Sequence, residues 1–436
     1  MRGLPLPDDG RPVLPTHGSV SFLPMPPHTF HLRPRTLRAG FRLGLFALTL
    51  AGPGLEIRGA SAADPVFRTV LRAPGQDGVV TSRIPALATT TKGTLIAAFD
   101  LRHASAVDLP GDIDVAIMRS FDQGTTWTQV ERVMDFDKNV PGANGNGIGD
   151  PTILVDRVTG AIFISALWVR GDRGAAGPPI PNEMAGQFMM IKSTDDGATW
   201  SVPVNLTSQV QDPAWGVAVA LKGPGSGLQL RDGTLVIPTY HKTYPSARAG
   251  QSAFIWSRDH GTTWKRAAPV TVGPARTSEA QIAELEDGSL LMSIRDHGPK
   301  KLRAWAQYSW TGDIAKGQWS VPWSVVPDPV CMASLIRHPS GPLLFSNPNS
   351  QTNRIAMTVR ASTDGGRTWN GGRLIDPGLS GYSCMTVLPD GSIGMLYERG
   401  EVKYNESIHF VRFPLEWIMQ AGGKASDVPA KAGKQK

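Results

Sequence analysis

The sequence predicts an all-β protein built as a six-bladed β-propeller, and three observations support that prediction. An eight-residue pattern recurs along the chain, and short strand-like runs with Asp-Gly turns lie between its copies. The 436 residues also include 48 Gly, 36 Pro and 12 Trp. This composition favours tight turns and large aromatic fillers, which suit a protein made of repeated hairpins.

The repeated pattern reads S-x-D-x-G-x-T-W and defines the expected units. Four complete copies and one degraded copy occur, at Ser120–Trp127, Ser193–Trp200, Ser257–Trp264, Ser362–Trp369 and Ser309–Trp319. The Asp side chain accepts hydrogen bonds from N–H groups of a turn, and the Gly suits a positive φ. The Trp needs a large apolar slot, which we expect the gap between two blades to provide. The ligand spacing of an EF-hand is missing, so no metal is expected there.

One strand of a common type is predicted for each blade, and several of these strands follow an Asp-Gly turn. The six strands are Thr94–Phe99, Ala161–Leu167, Gly233–Pro238, Ser289–Ile294, Pro342–Phe345 and Ser392–Tyr397. They predict six blades within a single propeller domain at 63–420.

Both ends of the chain are predicted to lie outside the propeller. In residues 1–62, several arginines precede the apolar run Leu43–Leu50, and a small-x-small cleavage signal ends at Ala62. These are features of an export leader, so we expect a periplasmic or extracellular protein with no stable membrane anchor after cleavage. A disordered cytosolic extension is the alternative, and Met25 is a second candidate start. Residues 421–436 are expected to form a disordered tail.

The charge distribution argues against nucleic acid or an anionic membrane as a partner. The formal net charge is +7, but the basic excess falls in 1–62 and 421–436, and the body between them is neutral. No motif for a phosphate loop, a zinc protease or a serine hydrolase occurs, so no cofactor is expected. A monomer is expected. The two cysteines, Cys331 and Cys384, either form one bridge or are two buried thiols.

A further set of residues resembles a known family. The segment Ser82-Arg83-Ile84-Pro85 resembles the Arg-Ile-Pro motif that opens sialidase catalytic domains, and the repeat resembles the Asp box of sialidases and related propellers. Arg295, after a predicted strand, and Arg354, ahead of the fourth repeat, match the rest of the family's arginine triad. Arg360 is the alternative to Arg354. Sialic acid carries a carboxylate on its anomeric carbon, and guanidinium forks bind carboxylates through two parallel hydrogen bonds.

The resemblance also implies catalytic residues. Asp108 matches the acid that protonates the leaving glycosidic oxygen and then deprotonates water, with Asp112 and Asp114 as alternatives. Tyr382 matches the family's nucleophile, because the substrate carboxylate would repel a carboxylate nucleophile but does not repel a neutral phenol. A phenol of pKa about 10 needs a base beside it, and Glu279 matches the glutamate in that role.

Other residues match supporting positions of the family. Glu398 matches a glutamate that orients the first arginine of the triad, since a buried arginine cluster needs a counter-charge. Arg102 and Asp150 match positions that contact a ring hydroxyl of the sugar, although Asp150, which precedes a proline, is equally suited to form a turn. Trp168 and Ile148 are candidates for the N-acetyl pocket.

Together these residues imply a retaining exo-α-sialidase whose substrate partner is a sialylated glycan. Such an enzyme hydrolyses terminal α-linked sialic acids from glycoproteins, glycolipids or oligosaccharides through a tyrosyl-enzyme intermediate. Two alternatives stay open. One is a non-catalytic Asp-box propeller that binds carbohydrate or protein. The other is an enzyme with the same residues that performs trans-sialylation, an intramolecular reaction or cleavage of a related nonulosonic acid.

Overall fold

The computed structural model describes residues 64–136, 147–169, 186–211, 217–243, 250–271 and 276–422. The predicted leader lies outside these residues, as does the predicted tail apart from Ala421 and Gly422. All of the described residues belong to the unit Ser61–Lys436. The two α-helices among them, α1 at Thr207–Val210 and α2 at Leu415–Met419, are too short to cross a membrane.

Most of the described chain is strand, and neighbouring strands pair antiparallel in chain order, forming meanders. The first meander contains β2 (Thr81–Thr89), β3 (Leu95–Arg102), β4 (Ile113–Ser120) and β5 (Glu131–Met134). The second contains β6 (Gly147–Val155), β7 (Ile162–Val169), β8 (Gln187–Ser193) and β9 (Val204–Asn205). The third contains β10 (Val217–Lys222), β12 (Leu228–Gln229), β13 (Leu235–Thr243), β14 (Gly250–Ser257) and β15 (Lys265–Arg266), while β11 (Gly225–Ser226) pairs with β6.

Three more meanders follow, and the first strand of the described chain completes the last of them. The fourth contains β16 (Thr277–Glu284), β17 (Leu290–Asp296), β18 (Leu302–Ser309), β19 (Gln318–Trp319) and β20 (Trp323–Pro327). The fifth contains β21 (Ser334–Arg337), β22 (Leu343–Pro348), β23 (Ile355–Ser362) and the start of β24 (Arg373–Val387). The sixth contains the rest of β24, β25 (Ile393–Gly400), β26 (Ser407–Phe413) and β1 (Phe67–Arg72).

Apolar clusters join each meander to the next and close the series into a ring. Ile96 and Ile164 share a cluster between the first two meanders, and Phe99 and Phe410 share one between the first and the sixth. Four further clusters join the remaining successive pairs. Radial repetition of this kind protects the sheet edges at the centre of a ring. The predicted all-β propeller class is therefore confirmed. The described strands group into six meanders, and the number of blades stays a prediction.

The Asp boxes are tight turns that lie at one end of the meanders and dock on the preceding meander. In the first box, Thr126 donates to Asp122 through its backbone N–H at 2.8 Å and its hydroxyl at 2.7 Å. The other three complete boxes repeat these bonds. Gly124 has φ 87°, and a Cβ there would overlap the ring of Phe410. Trp127 packs edge-to-face on the same ring at 5.4 Å, so the prediction that the Trp fills a gap between blades is confirmed.

The two cysteines are buried, unbonded thiols. Cys384 lies in the cluster between the first and sixth meanders, whereas Cys331 packs with Ile84, Met332 and Tyr382. Burial raises the pKa of both thiols to about 11, so each stays protonated at neutral pH. Of the two alternatives from the sequence, the buried-thiol interpretation holds.

Candidate active site

Four inner strands are irregular, and in each of them the irregularity lies at the end that faces away from the Asp boxes. The pairing register shifts in β2 after Arg83, in β6 after Gly149, in β16 after Thr277 and in β24 after Ser380. These four strands are the first of their meanders, and first strands contact one another at the centre of the ring. A bulge redirects a side chain and is common beside active sites. The residues at or beside these shifts include Arg83, Asp150, Glu279 and Tyr382.

A cavity of about 220 Å³ lies at this end of the ring. It is lined by six of the residues that the sequence singled out: Arg83, Asp108, Glu279, Arg295, Arg354 and Tyr382. They come from distant parts of the chain and from at least four meanders. The fold therefore brings the proposed arginine triad and the proposed catalytic residues to one place.

Tyr382 and Glu279 form a buried hydrogen-bonded pair in the cavity wall. The Tyr382 hydroxyl donates to Oε1 of Glu279 at 2.5 Å. Nη1 of Arg295 donates to the Tyr382 oxygen at 2.9 Å and also to Oε2 of Glu279. Burial, reinforced by the charge of Glu279, raises the pKa of Tyr382 well above its ordinary value. The phenol is therefore neutral at rest, and Glu279 is placed to take its proton.

Glu398 holds Arg83 and two backbone amides together beneath the cavity. This fully buried carboxylate accepts from Nε and Nη2 of Arg83 at 3.1 and 3.4 Å. It also accepts from the backbone N–H groups of Ile84 and Tyr382, each at 3.1 Å. Burial alone would lower the pKa of Arg83, but the surrounding charges, led by Glu398, raise it above its ordinary value. A Cβ at Gly381 would overlap Oε2 of Glu398, which explains the glycine before Tyr382.

Asp108 lies at the rim, with its side chain 68% exposed. Its Oδ1 accepts from Nη1 of Arg83 at 3.1 Å and from Nη1 of Arg102 at 2.7 Å. Of the two alternatives, Asp114 is buried against His103, and neither it nor Asp112 lines the cavity. The geometry therefore favours Asp108 over both as the group that can reach a bound ligand.

Arg102 and Asp150 meet at a carboxylate that the sequence did not indicate, Asp100. Asp100 is fully buried and accepts from Nε and Nη2 of Arg102 at 3.2 and 2.9 Å. It also accepts from the backbone N–H of Asp150 at 2.9 Å, and Asp150 itself has φ 59°. Burial raises the pKa of Asp100 to about 7, against the opposing effect of Arg102. Asp150 thus lies within β6, at the register shift and with a strained backbone, and it is a neighbour of Arg102, but it does not line the cavity.

Arg354 and Arg360 lie in different environments. Arg354 lines the cavity, with its guanidinium carbon 4.5 Å from the ring centre of Tyr404 and 5.6 Å from that of Tyr382. It donates through Nη2 to the Val330 carbonyl at 3.3 Å. Arg360 is fully buried, donates to Asn347 and does not line the cavity. Of the two, only Arg354 is placed to bind a ligand there.

Comparison with known proteins identifies the family. The BNR repeat-like domain family matches residues 101–395. A sialidase of Bacteroides fragilis (strain YCH46) is 38% identical over 350 residues, which cover 75% of this chain and 62% of that protein. A sialidase of Micromonospora viridifaciens is 34% identical over 409 residues, which cover 88% and 60%. The chain belongs to the sialidase family.

A solved structure agrees with this assignment. The Hadza microbial sialidase Hz136 is similar to this chain with a TM-score of 0.72 and 37% identity, and the match covers 81% of this chain and 69% of that one. The chain spans about three-fifths of the length of the two bacterial relatives.

Part of the cavity wall of this member of the sialidase family was missed from the sequence. Tyr240 and Lys242, on β13, and Ser278 and His297, beside the Tyr382–Glu279 pair, also line the cavity. His297 Nε2 lies 2.8 Å from the Ser278 hydroxyl, and burial together with the charge of Arg295 lowers the pKa of His297 to about 4. Tyr240 and Lys242 are two residues apart just beyond the predicted strand Gly233–Pro238. Continuing that strand would have placed both side chains on one face of the sheet, and this was the signal available in the sequence.

The candidates for an N-acetyl pocket lie elsewhere. Ile148 is buried in the cluster between the first and second meanders, and Trp168 packs on that cluster 6.1 Å from the ring of Phe136. Ile148 and Trp168 pair across β6 and β7, so they share a face of the sheet. Neither lines the cavity.

One group of described residues offers several metal-ligand atoms. His103, Asp112 and Asp114 each bring one such atom within 4.8 Å of the others. Nη1 of Arg132, however, donates to Oδ2 of Asp114 at 3.3 Å, the oxygen that also contacts His103. Because calcium takes six or more oxygen ligands and a guanidinium already neutralises this carboxylate, the group is poorly suited to hold calcium.

Proposed function

We propose that the protein is an exo-α-sialidase that hydrolyses terminal α-linked sialic acids from glycoproteins, glycolipids or oligosaccharides, with retention of configuration. The observation that carries this proposal is the Tyr382–Glu279 pair, with 2.5 Å between its oxygens, in a cavity that three arginines also line. Few other reactions call for a buried, neutral phenol beside a carboxylate and a cationic clamp.

The arginines account for selection of the substrate. Arg83, Arg295 and Arg354 place three guanidinium groups around one small cavity, where a single carboxylate on the anomeric carbon satisfies them together. Glu398 and Glu279 each hold one of these arginines in position through buried ion pairs. The clamp is thus pre-arranged, which reduces the entropy cost of orienting the sugar.

In the first chemical step the Tyr382 oxygen attacks the anomeric carbon while Glu279 accepts the phenolic proton. The bond from the anomeric carbon to the leaving oxygen breaks, and Asp108 supplies the proton that this oxygen takes up. In the second step Asp108 removes a proton from water, the water oxygen attacks the anomeric carbon, and the Tyr382 oxygen leaves and regains its proton from Glu279. Two displacements on one carbon give retention.

Turnover of an aryl α-sialoside tests the proposal. We expect release of the aryl alcohol by the wild type and a loss of at least about 100-fold in kcat for Tyr382→Phe, because the nucleophilic oxygen is removed. Tyr308→Phe is the matched control, since it removes a buried phenolic hydroxyl that donates to the carbonyl of Ile314 in the fourth meander and not to a cavity residue. Its kcat should equal that of the wild type.

The product distinguishes the alternatives. NMR of the first product formed should show free sialic acid in the α form. Absence of turnover would favour the non-catalytic propeller, and an inverted sugar would contradict the tyrosyl intermediate. A 2,7-anhydro sugar, or transfer to an added galactoside, would indicate the same residues performing an intramolecular or trans-sialylation reaction.

A further inference from the structure

We propose that Asp108 and the substrate carboxylate compete for the terminal nitrogens of Arg83, so that substrate binding releases Asp108 from Arg83. The inference rests on the proposed function, because it assigns the carboxylate of the sugar to the arginines. It adds a coupling between recognition of the substrate and the state of the acid–base group.

The donors of Arg83 show why the competition arises. Nε and Nη2 donate to the two oxygens of Glu398. Glu398 is fully buried and is also held by two backbone amides, so it does not leave. Each terminal nitrogen of a guanidinium carries two N–H groups, so Nη1 and Nη2 can still donate to an anion in the cavity. One of them, Nη1, already donates to Oδ1 of Asp108 at 3.1 Å. A second carboxylate held at these nitrogens lies beside the Asp108 carboxylate, and the two like charges repel.

Asp108 is the partner that can yield. Its side chain is 68% exposed and lies in the connection between β3 and β4, whereas the Arg83 side chain is 6% exposed. Arg102 anchors this connection independently, since its Nη1 donates both to Oδ1 of Asp108 at 2.7 Å and to the Ala106 carbonyl at 2.9 Å. Asp108 therefore keeps one guanidinium contact when it loses the other.

The charges around Asp108 determine the consequence. Its own segment carries His103, Asp112 and Asp114, and β2 and β3 present Arg83 and Arg102. The other titratable groups that line the cavity are Arg295, Arg354, Lys242, Glu279, His297, Tyr240, Tyr382 and Tyr404. A guanidinium in contact favours the charged form of a carboxylate, and an incoming carboxylate disfavours it. Binding of the substrate removes one guanidinium contact from Asp108 and brings a carboxylate close to it. Both changes favour protonated Asp108, which is the form that donates to the leaving oxygen.

Binding of free sialic acid, measured by isothermal titration calorimetry near neutral pH, tests the competition without requiring turnover. We expect Asp108→Asn to bind sialic acid about fivefold more tightly than the wild type, because a partly exposed ion pair no longer has to be broken. Asp112→Asn is the matched control. It removes the same charge from the same segment at a residue outside the cavity lining, and its affinity should stay within about twofold of the wild type.

Two further measurements make the test specific. The gain in affinity of Asp108→Asn over the wild type should vanish for the methyl ester of the sugar, because the ester has no carboxylate to compete with Asp108. Titrations in buffers of different ionisation enthalpy should show net proton uptake on binding for the wild type and none for Asp108→Asn. Equal or weaker binding by Asp108→Asn, or an equal gain for Asp112→Asn, would overturn the inference and leave the proposed function intact. Failure of every variant and the wild type to bind sialic acid would instead remove the proposed function.

Discussion

The two ends of the ring are held together in opposite ways. In each Asp box the bonds that fix the turn join residues at most four apart, such as Thr126 and Asp122. At the cavity end the deciding bonds join Arg83 to Glu398, which are 315 residues apart, and Tyr382 to Glu279, which are 103 apart. The box end repeats one set of local hydrogen bonds, whereas the cavity end is built from a different residue of each of several meanders. The fold is thus specified redundantly, and the site depends on single, long-range contacts.

This contrast predicts that the largest loss of activity and stability follows from removing one partner of a long-range contact at the cavity. Glu398→Gln should reduce kcat/KM at least about 100-fold and lower the free energy of unfolding by about 3 kcal/mol, because Arg83 loses its buried counter-ion and keeps only the exposed carboxylate of Asp108. Steady-state kinetics and urea denaturation measure the two effects.

The control for this variant lies at the opposite end of the ring. Glu286→Gln breaks the ion pair with Arg337, in which the glutamate side chain is 88% exposed. We expect the free energy of unfolding to change by less than about 0.5 kcal/mol and kcat/KM to stay unchanged. Similar results for the two variants would show that long-range contacts are no more important than surface ones.

An intermediate effect should separate the two arginines that the sequence could not distinguish. Arg354→Ala should raise KM for a sialoside about tenfold to 100-fold with little change in stability, because a charge-assisted contact to the substrate is lost. Arg360→Met should leave KM unchanged. Burial lowers the pKa of Arg360 to about 10, and its Nε and Nη2 have no hydrogen-bond partner among the described residues. Replacement by an apolar side chain is therefore expected to leave the urea midpoint unchanged or raise it. A raised KM for Arg360→Met, with an unchanged KM for Arg354→Ala, would show that Arg360 and not Arg354 binds the substrate.

The smallest effect is expected at the box end. Burial acts to raise the pKa of Asp259, but hydrogen bonds from Thr263 and Ser257 outweigh it and lower the pKa to about 2. Since the folded value lies below the unfolded value of about 3.9, these bonds stabilise the fold above about pH 4, and the stabilisation is lost as the pH falls toward about 2. Solvent screening limits the contribution to about 1 kcal/mol.

Comparing the wild type with Asp259→Ala over this pH range measures that contribution. The variant should be less stable at neutral pH with kcat unchanged, and the difference from the wild type should shrink on acidification. A constant difference across the range would mean that the carboxylate charge does not matter to the turn.

The same contrast explains what the sequence could predict. The boxes and the second strand of each meander have local signals, in a repeated motif and in Asp-Gly turns, and the structure contains both. The structure extends the second strands beyond the predicted ends, for example to Arg102 in β3 and, past Glu398, to Gly400 in β25. Because those extensions carry polar residues, hydrophobic pattern gave no reason to continue them.

Several of the cavity residues that sequence reasoning missed lie at or beyond irregular strand ends. Ile148 lies one residue before Gly149, after which the register of β6 shifts, and a slip of one residue moves a side chain to the other face of a sheet. Alternation therefore could not show whether Ile148 faces the cavity or the core. Asp100 was missed because its two partners, Arg102 and the amide of Asp150, are only brought together by the pairing of two meanders.

The pairing of β1 with β26 places the two boundaries of the ring side by side, with Phe67 opposite Arg412. A unit whose entry and exit points are neighbours can be spliced into a host polypeptide without separating the host's own segments. The propeller is therefore suited to serve as a cassette, able to accept additional modules at either boundary or to be inserted whole into another domain, because neither arrangement requires the ring to open.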